Sequence, residues 1–168
     1  GIYGDGTSLT IDETMVFATG GPVCASTAPS LGLGYNYGGI SYGLHLPTGG
    51  LTLQNGAELT ATGGENPRYS TTSGQPSKFN DSYGAYIKGN ITVTDSVFTA
   101  KSSLSCKAVG LLHGGTVTLN GLNSRLTASS EAYRTEGYSS QKCSYGAMNG
   151  SDFENWDGGN YTVNGGIL

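Results

Sequence analysis

Charge is scarce in this chain. Eight basic and twelve acidic residues make up only 12% of its 168 positions, too few for a disordered polyampholyte. The net charge of −4 comes with no basic stripe, which sets nucleic acid aside as a partner. Long apolar runs are also missing. None approaches the ~20 residues of a bilayer span, so no membrane-spanning helix is expected. No signal peptide is visible within the sequence, and a chain that begins at Gly1 rather than Met is compatible with a leader already removed. No stretch carries the apolar stripe of an amphipathic helix, and almost no helix is predicted. Tryptophan occurs once. Glycine, by contrast, is abundant at 29 residues, but without the strict three-residue period of collagen. Surface polarity must come from Ser, Thr, Asn and Gly.

What is present is a repeat. Ser82 to Ala100 reads S-Y-G-A-Y-I-K-G-N-I-T-V-T-D-S-V-F-T-A. The pattern returns with drift at Ser41–Ala61, Val109–Ala128, Gly1–Ala18 and from Ser144 onward. A unit recurring over tens of residues outranks local propensity and indicates a solenoid. Within it the period is two: Leu51-Thr52-Leu53, Ile91-Thr92-Val93, Val117-Thr118-Leu119 and Tyr161-Thr162-Val163 read in–out–in, with Leu9-Thr10-Ile11 as first member. A second short strand follows at Glu58–Ala61, Val97–Ala100 and Arg125–Ala128, and a third precedes at Gly43–Leu46, Gly84–Ile87 and Gly110–Leu112. Three short strands per repeat predict an all-β chain, a parallel β-helix of about four to five coils. Right-handed winding is the expectation for crossover connections, and an antiparallel meander is the alternative.

Corners carry turn chemistry. Gly6, Gly49, Gly89 and Gly115 are expected to supply φ > 0 at one corner, and Asp12-Glu13, Asn55-Gly56, Asp95-Ser96, Asn120-Gly121 and Asn164-Gly165 form the next. Three insertions leave from one corner, Gly20–Ile40, Gly63–Asp81 and Ser129–Cys143, and so project from one side; a fourth, Gly150–Asn160, leaves from another. Residues 1–168 read as a single domain. Both ends fall inside a repeat unit, which points to a piece of a longer repeat protein.

The Y-G-x-Y-x-x-G-x-I-T-V-x-x-x-x-x-T-A unit resembles the right-handed parallel β-helix repeats of large secreted or cell-surface bacterial proteins, particularly of gut anaerobes. That resemblance implies a pectate-lyase-like architecture, and in some relatives carbohydrate binding. Enzymes on this architecture use carboxylate clusters, often with calcium, and a basic residue in the groove. Here Asp12, Glu58 and Asp95 lie in different coils and Arg125 is the only strand-edge arginine, so no pair of carboxyls faces one cleft as glycoside hydrolysis requires. A non-enzymatic module is expected, adhesin-like or glycan-binding. A purely structural stalk is the alternative, and a polysaccharide lyase or hydrolase is the less favoured one.

The candidate ligand-binding residues are the loop aromatics Tyr35, Tyr37, Tyr69, Tyr133 and Tyr138, each with a flat apolar face and a polar tip, together with Trp156. Packing among the loops is an equal alternative. Asp152, Glu154 and Asp157 are spaced to offer oxygen ligands to a hard cation such as calcium; the favoured reading has this loop folded over a coil, with Trp156 filling a gap. Cys106 and Cys143 hold nearly equivalent places in neighbouring coils, within disulfide reach if their side chains converge; two unpaired thiols are the alternative, and Cys24 is left odd. Tyr42, Tyr83 and Tyr145, interrupted by Val109, are expected to stack as a structural column. Thr10, Thr52, Thr92, Thr118 and Thr162 are expected to form a solvated one. His45 and His113 occupy near-equivalent places without an identifiable partner. The partner class, if any, is a polysaccharide or a surface glycan.

Overall fold

The computed structural model describes residues 1–22, 39–65, 81–103, 105, 107–131, 143–150 and 160–168. Among these residues every regular element is a strand. The first sheet holds β1 (Ile2–Tyr3), β4 (Ile40–Leu46), β7 (Asp81–Ile87), β10 (Lys107–His113) and β13 (Cys143–Asn149), side by side in that order. The second holds β2 (Leu9–Asp12), β5 (Leu51–Gln54), β8 (Ile91–Thr94), β11 (Val117–Asn120) and β14 (Tyr161–Asn164). The third holds β3 (Met15–Thr19), β6 (Glu58–Thr62), β9 (Val97–Lys101) and β12 (Arg125–Ser129). The chain visits first, second and third sheet in fixed rotation, so each round adds one strand to each sheet. All pairings are parallel, which overturns the antiparallel alternative.

Register follows the repeat. Leu51, Ile91 and Val117 align with one another, as do Leu53, Val93 and Leu119. Leu59, Phe98 and Leu126 align in the third sheet, and Leu44, Ala85 and Leu111 in the first. These inward columns make one buried apolar cluster fed by all three sheets. Within the third round the small Ala85 of the first sheet and the large Phe98 of the third belong to the same cluster. The threonine column aligns as expected from Thr10 to Thr162; its three central members are half-buried and its end members exposed. The first-sheet strands begin three residues earlier than the alternation suggested, because Ile40, Asp81, Lys107 and Cys143 already pair.

Two corners differ from expectation. Of Gly6, Gly49, Gly89 and Gly115, only Gly6 has positive φ, and it precedes the position equivalent to Gly49, which is Thr7. Gly89 and Gly115 are glycine because rounds stack closely: a Cβ on Gly115 would sit 2.5 Å from the carbonyl carbon of Gly89, and one on Gly89 2.7 Å from that of Gly49. At the corner after the second sheet, Glu13, Asn55, Asp95, Gly121 and Gly165 are the aligned residues, one position displaced in the second and third rounds from the expected pairing. All five are left-handed, with φ between 45° and 95°.

The third sheet abuts the first at Gly43, Gly84 and Gly110. A Cβ on Gly84 would lie 2.4 Å from both the Gly110 carbonyl and the Lys101 amide nitrogen, and one on Gly110 2.5 Å from the Ser129 carbonyl. Gly84→Ala is therefore expected to cost about 1–3 kcal/mol through forced main-chain displacement. Gly21→Ala, where a Cβ meets nothing within 4 Å, should leave stability unchanged. Urea midpoints of the two variants decide it, and equal midpoints would refute the close-approach account.

Candidate functional site

The glycine that lets the first sheet meet the third also reverses which way its strand faces. Strict alternation would put Tyr42 and Leu44 on one side. Instead Leu44, Ala85 and Leu111 point into the core, while Tyr83 and Val109 join Leu112 and Met148 in a second apolar cluster flanked by Tyr42, Tyr86 and Tyr145. The paired register skips Gly43, Gly84 and Gly110 and resumes beyond them. The residue before the glycine and the one two after it, Tyr42 and His45 or Tyr83 and Tyr86, thus share the outer face. The first sheet is covered on both sides in its middle: Val109 and Leu112 are 0% and 2% exposed.

Toward the first rounds this outer face opens into an aromatic ledge. His45 lies flat against Tyr42, with ring centroids 4.1 Å apart and planes 6° from parallel. Tyr42 stacks on Tyr83 of the next strand at 5.1 Å. Tyr86 meets the His45 ring edge-on at 5.1 Å, and Tyr3 approaches it at 5.3 Å, tilted by 52°. Both faces of Tyr42 are occupied, so Tyr42 and Tyr83 hold the ledge together. Tyr3, 66% exposed, and the half-buried Tyr86 offer it to solvent.

Burial sets the electrostatics of the ledge. Burial lowers the pKa of His45, partly offset by the Asp5 carboxylate, which keeps its imidazole neutral at pH 7. Burial raises Tyr42 and Tyr83 above the ordinary phenol value, reinforced by Tyr86 and Asp81 at Tyr42 and by Asp81 first at Tyr83. Tyr83 donates its hydroxyl to Asp81 Oδ2 at 3.4 Å. Burial also raises Asp81 itself, against the lowering effects of Lys107 and of the Tyr83 hydrogen bond. The ledge is a set of aromatic rings and hydroxyls with the Asp81 carboxyl beside Tyr83 and the Asp5 carboxylate acting on His45.

The ledge adjoins the exits of the insertions. Thr19, Thr62, Lys101 and Ser129 are register equivalents at the end of the third sheet, and Ile40, Asp81, Lys107 and Cys143 at the start of the first. The three long insertions leave and return through this one corner, and between β9 and β10 the same gap is crossed by residues 102–106. Main-chain bonds join successive rounds at its edge, and serine hydroxyls of the first sheet reach across it. Gly20 N–H donates to Thr62 O and Gly63 N–H to Lys101 O, both at 2.8 Å, and Ser102 N–H to Ser129 O at 3.0 Å. Ser41 Oγ donates to Gly21 O and accepts from Gly64 N–H, each at 2.8 Å, and Ser82 Oγ accepts from Ser103 N–H at 3.1 Å.

The residues singled out from sequence fall elsewhere. Tyr35, Tyr37, Tyr69, Tyr133, Tyr138 and Trp156, the acidic set Asp152, Glu154 and Asp157, and Cys24 and Cys106 all lie outside the described residues. Cys143 is described as backbone at the start of β13, in register with Lys107, the neighbour of Cys106 in sequence. Among the described residues no group of three or more His, Cys, Asp or Glu gathers as a metal site. No family model, curated protein or solved structure matches the chain.

The tyrosine column aligns as expected, Tyr42–Tyr83–Val109–Tyr145. The two histidines are corrected. His45 aligns with Tyr86 and Leu112, whereas His113 aligns with Leu46 and Ile87, so they differ by one position and face opposite ways. Each has partners: the ledge for His45, and for His113 the carbonyl of Gly115 at 2.9 Å and the hydroxyl of Tyr161 at 2.6 Å. The sequence did hold a sign of the ledge in S-Y-G-L-H and S-Y-G-A-Y, but a three-residue separation reads as opposite faces until the glycine reversal is known.

Asp81 gives a pH-dependent check. Its raised folded-state pKa means the folded protein holds that proton more tightly than the unfolded chain does. Its stabilising contribution is therefore present in acid and lost as pH rises through the folded pKa. Asp81→Asn, which resembles the protonated form, should unfold at higher urea than wild type at about pH 7, with the difference shrinking toward about pH 4. A variant less stable than wild type at both values would show that the ionised carboxylate is favourable.

Proposed function

We propose that this chain is a non-enzymatic extracellular module, adhesin-like or glycan-binding, in which the rounds wind as a right-handed parallel β-helix and ligand is taken on the side where the insertions emerge. The observation that carries this reading is the aromatic ledge of Tyr3, His45, Tyr42 and Tyr86, set on a stacked sheet beside the common corner of three long insertions. Exposed tyrosine faces pack against the apolar C–H face of a pyranose while phenol hydroxyls bond its rim. A rigid sheet holds them at little entropic cost, and loops on a scaffold are where recognition is usually built. The resemblance of the repeat to β-helix domains of secreted and cell-surface bacterial proteins supports the same placement outside the cell. Tyr35, Tyr37, Tyr69, Tyr133, Tyr138 and Trp156 are further candidate ligand contacts in this reading, with calcium as a candidate ligand of Asp152, Glu154 and Asp157.

A structural stalk is the second reading, favoured by the unbroken polar column from Thr10 to Thr162 and the continuous core beneath it. A polysaccharide lyase or hydrolase ranks third, because Asp12, Glu58 and Asp95 belong to three successive rounds. A glycan array of plant, host and bacterial polysaccharides, run with and without calcium, separates them. The expected result is a specific hit that weakens about tenfold in Tyr3→Ala or Tyr86→Ala at unchanged thermal midpoint. A hit lost only in Tyr133→Ala or Trp156→Ala would move the site onto the insertions, and an array without a hit would leave the stalk.

A further inference from the structure

His113 ties down both ends of the fourth insertion. Its main-chain carbonyl accepts from Gly150 N–H at 2.8 Å, and its ring Nε2 pairs with the Tyr161 hydroxyl at 2.6 Å. Gly150 closes β13 and Tyr161 opens β14, so one residue of the fourth round anchors the chain where it leaves the first sheet and where it enters the second. The side chain is 0% exposed. It occupies an inward column whose other members are Leu46, Ile87 and Asn149.

The hydrogen bonds fix the tautomer. Nδ1 faces the Gly115 carbonyl at 2.9 Å, and a carbonyl can only accept, so Nδ1 carries the proton. Nε2 then holds a lone pair and accepts from Tyr161 O–H. A second proton has no place in this arrangement. It would go onto Nε2 and meet the Tyr161 oxygen, whose own hydrogen would have to turn away toward a new acceptor. Around the ring, the strands packed against it contribute Ile87 from β7, Asn149 from β13 and Tyr161 from β14. Among the described residues the phenol of Tyr161 is the only titratable group given a contact with this imidazole, and no carboxylate bonds to it. Among the described residues an imidazolium there would be a buried cation with no carboxylate bonded to it.

We propose that His113 is an acid-released clamp: proton uptake by its imidazole breaks the bond to Tyr161 and frees β14 from the edge of the second sheet, while the inner rounds stay paired. β14 is suited to such release. Among the described residues its four members are exposed, its pairing is with β11, and the Tyr161 ring packs edge-on against His113 at 5.0 Å. Burial lowers the His113 pKa, opposed by its bond to Gly115, and raises that of Tyr161, so the neutral pair is the form the fold holds at pH 7. The sign follows from linkage. The opened state binds the proton at the ordinary imidazole value and the clamped state only below it, so the clamp is intact at higher pH. Across the interval between those two values it weakens about tenfold per unit of pH as pH falls.

The test uses the whole chain carrying His45→Gln, which leaves His113 as the only imidazole. Its ring resonances and the hydrogen exchange of the β14 amides, corrected for intrinsic rate, are followed from about pH 7.5 to about 5, across the ordinary imidazole range. The expected result is loss of protection at Thr162 and Asn164, whose main chain faces β11, that tracks His113 protonation while the β8 amides remain protected. In Tyr161→Phe, β14 should already exchange faster at the upper pH. Acid loss of β14 protection that precedes or ignores His113 titration would overturn the clamp. So would β14 protection unchanged across the range, or β8 opening together with β14.

Discussion

Parallel, in-register main-chain pairing is the constraint on which everything else in this molecule depends. Once Leu51 lies beside Ile91 and Ile91 beside Val117, each residue has an equivalent directly above and below it, and whatever conformation one round adopts is imposed on the next. The corner after the second sheet shows the cost. Five aligned residues must be left-handed, yet only two, Gly121 and Gly165, are glycine. Glu13, Asn55 and Asp95 accept a conformation that disfavours an L side chain by about 1–2 kcal/mol, and the stack offsets it. Asp95 N–H finds Asn120 O at 3.0 Å and Ser124 Oγ at 2.8 Å, and Asn55 Nδ2 donates to Asp12 Oδ1 at 2.7 Å. The same registration explains Gly121, where a Cβ would lie 2.3 Å from the Asp95 carboxylate below it.

Most of the architecture was legible because the period of two and the repeat each speak about backbone, and backbone is what stacking copies. The inward columns, the threonine column and the shared insertion corner could all be read from aligned residues. The φ > 0 assignment at Gly49, Gly89 and Gly115 failed for a physical reason. Glycine answers two different needs, left-handed φ and close approach, and sequence does not distinguish them. The ledge was half legible. The Tyr42–Tyr83 column follows from register, but the recruitment of His45 and Tyr86 depends on a reversal of facing at Gly43 and Gly84, which simple alternation cannot anticipate. The aromatics chosen from sequence sit in the insertions, where no repeat disciplines the reading.

Low charge and aromatic content belong to one design. With few ionic side chains, long-range electrostatic steering is weak, and recognition on the proposed side would rest on shape, ring faces and hydroxyls. His45 and the phenols stay neutral under ordinary conditions, so binding there would depend little on ionic strength. His113 shows the same residue type in a different office. Turned inward by one position, it trades stacking for two hydrogen bonds and joins the last rounds instead of decorating the surface.

The seam between the third and first sheets separates two kinds of inheritance. The bonds from Gly20 to Thr62, Gly63 to Lys101 and Ser102 to Ser129 join each round to the next in the same way, whether the chain then crosses directly, as between β9 and β10, or leaves on a long excursion. Loop-closure entropy rises only slowly with length, so the scaffold is nearly indifferent to what is spliced in at this point. Mutation and recombination there can exchange whole inserted segments while leaving the columns unaltered. The direct crossing at residues 102–106 is thus a further point of entry, because Ser102 already makes the bond to the next round that Gly20 and Gly63 make where two of the long insertions depart.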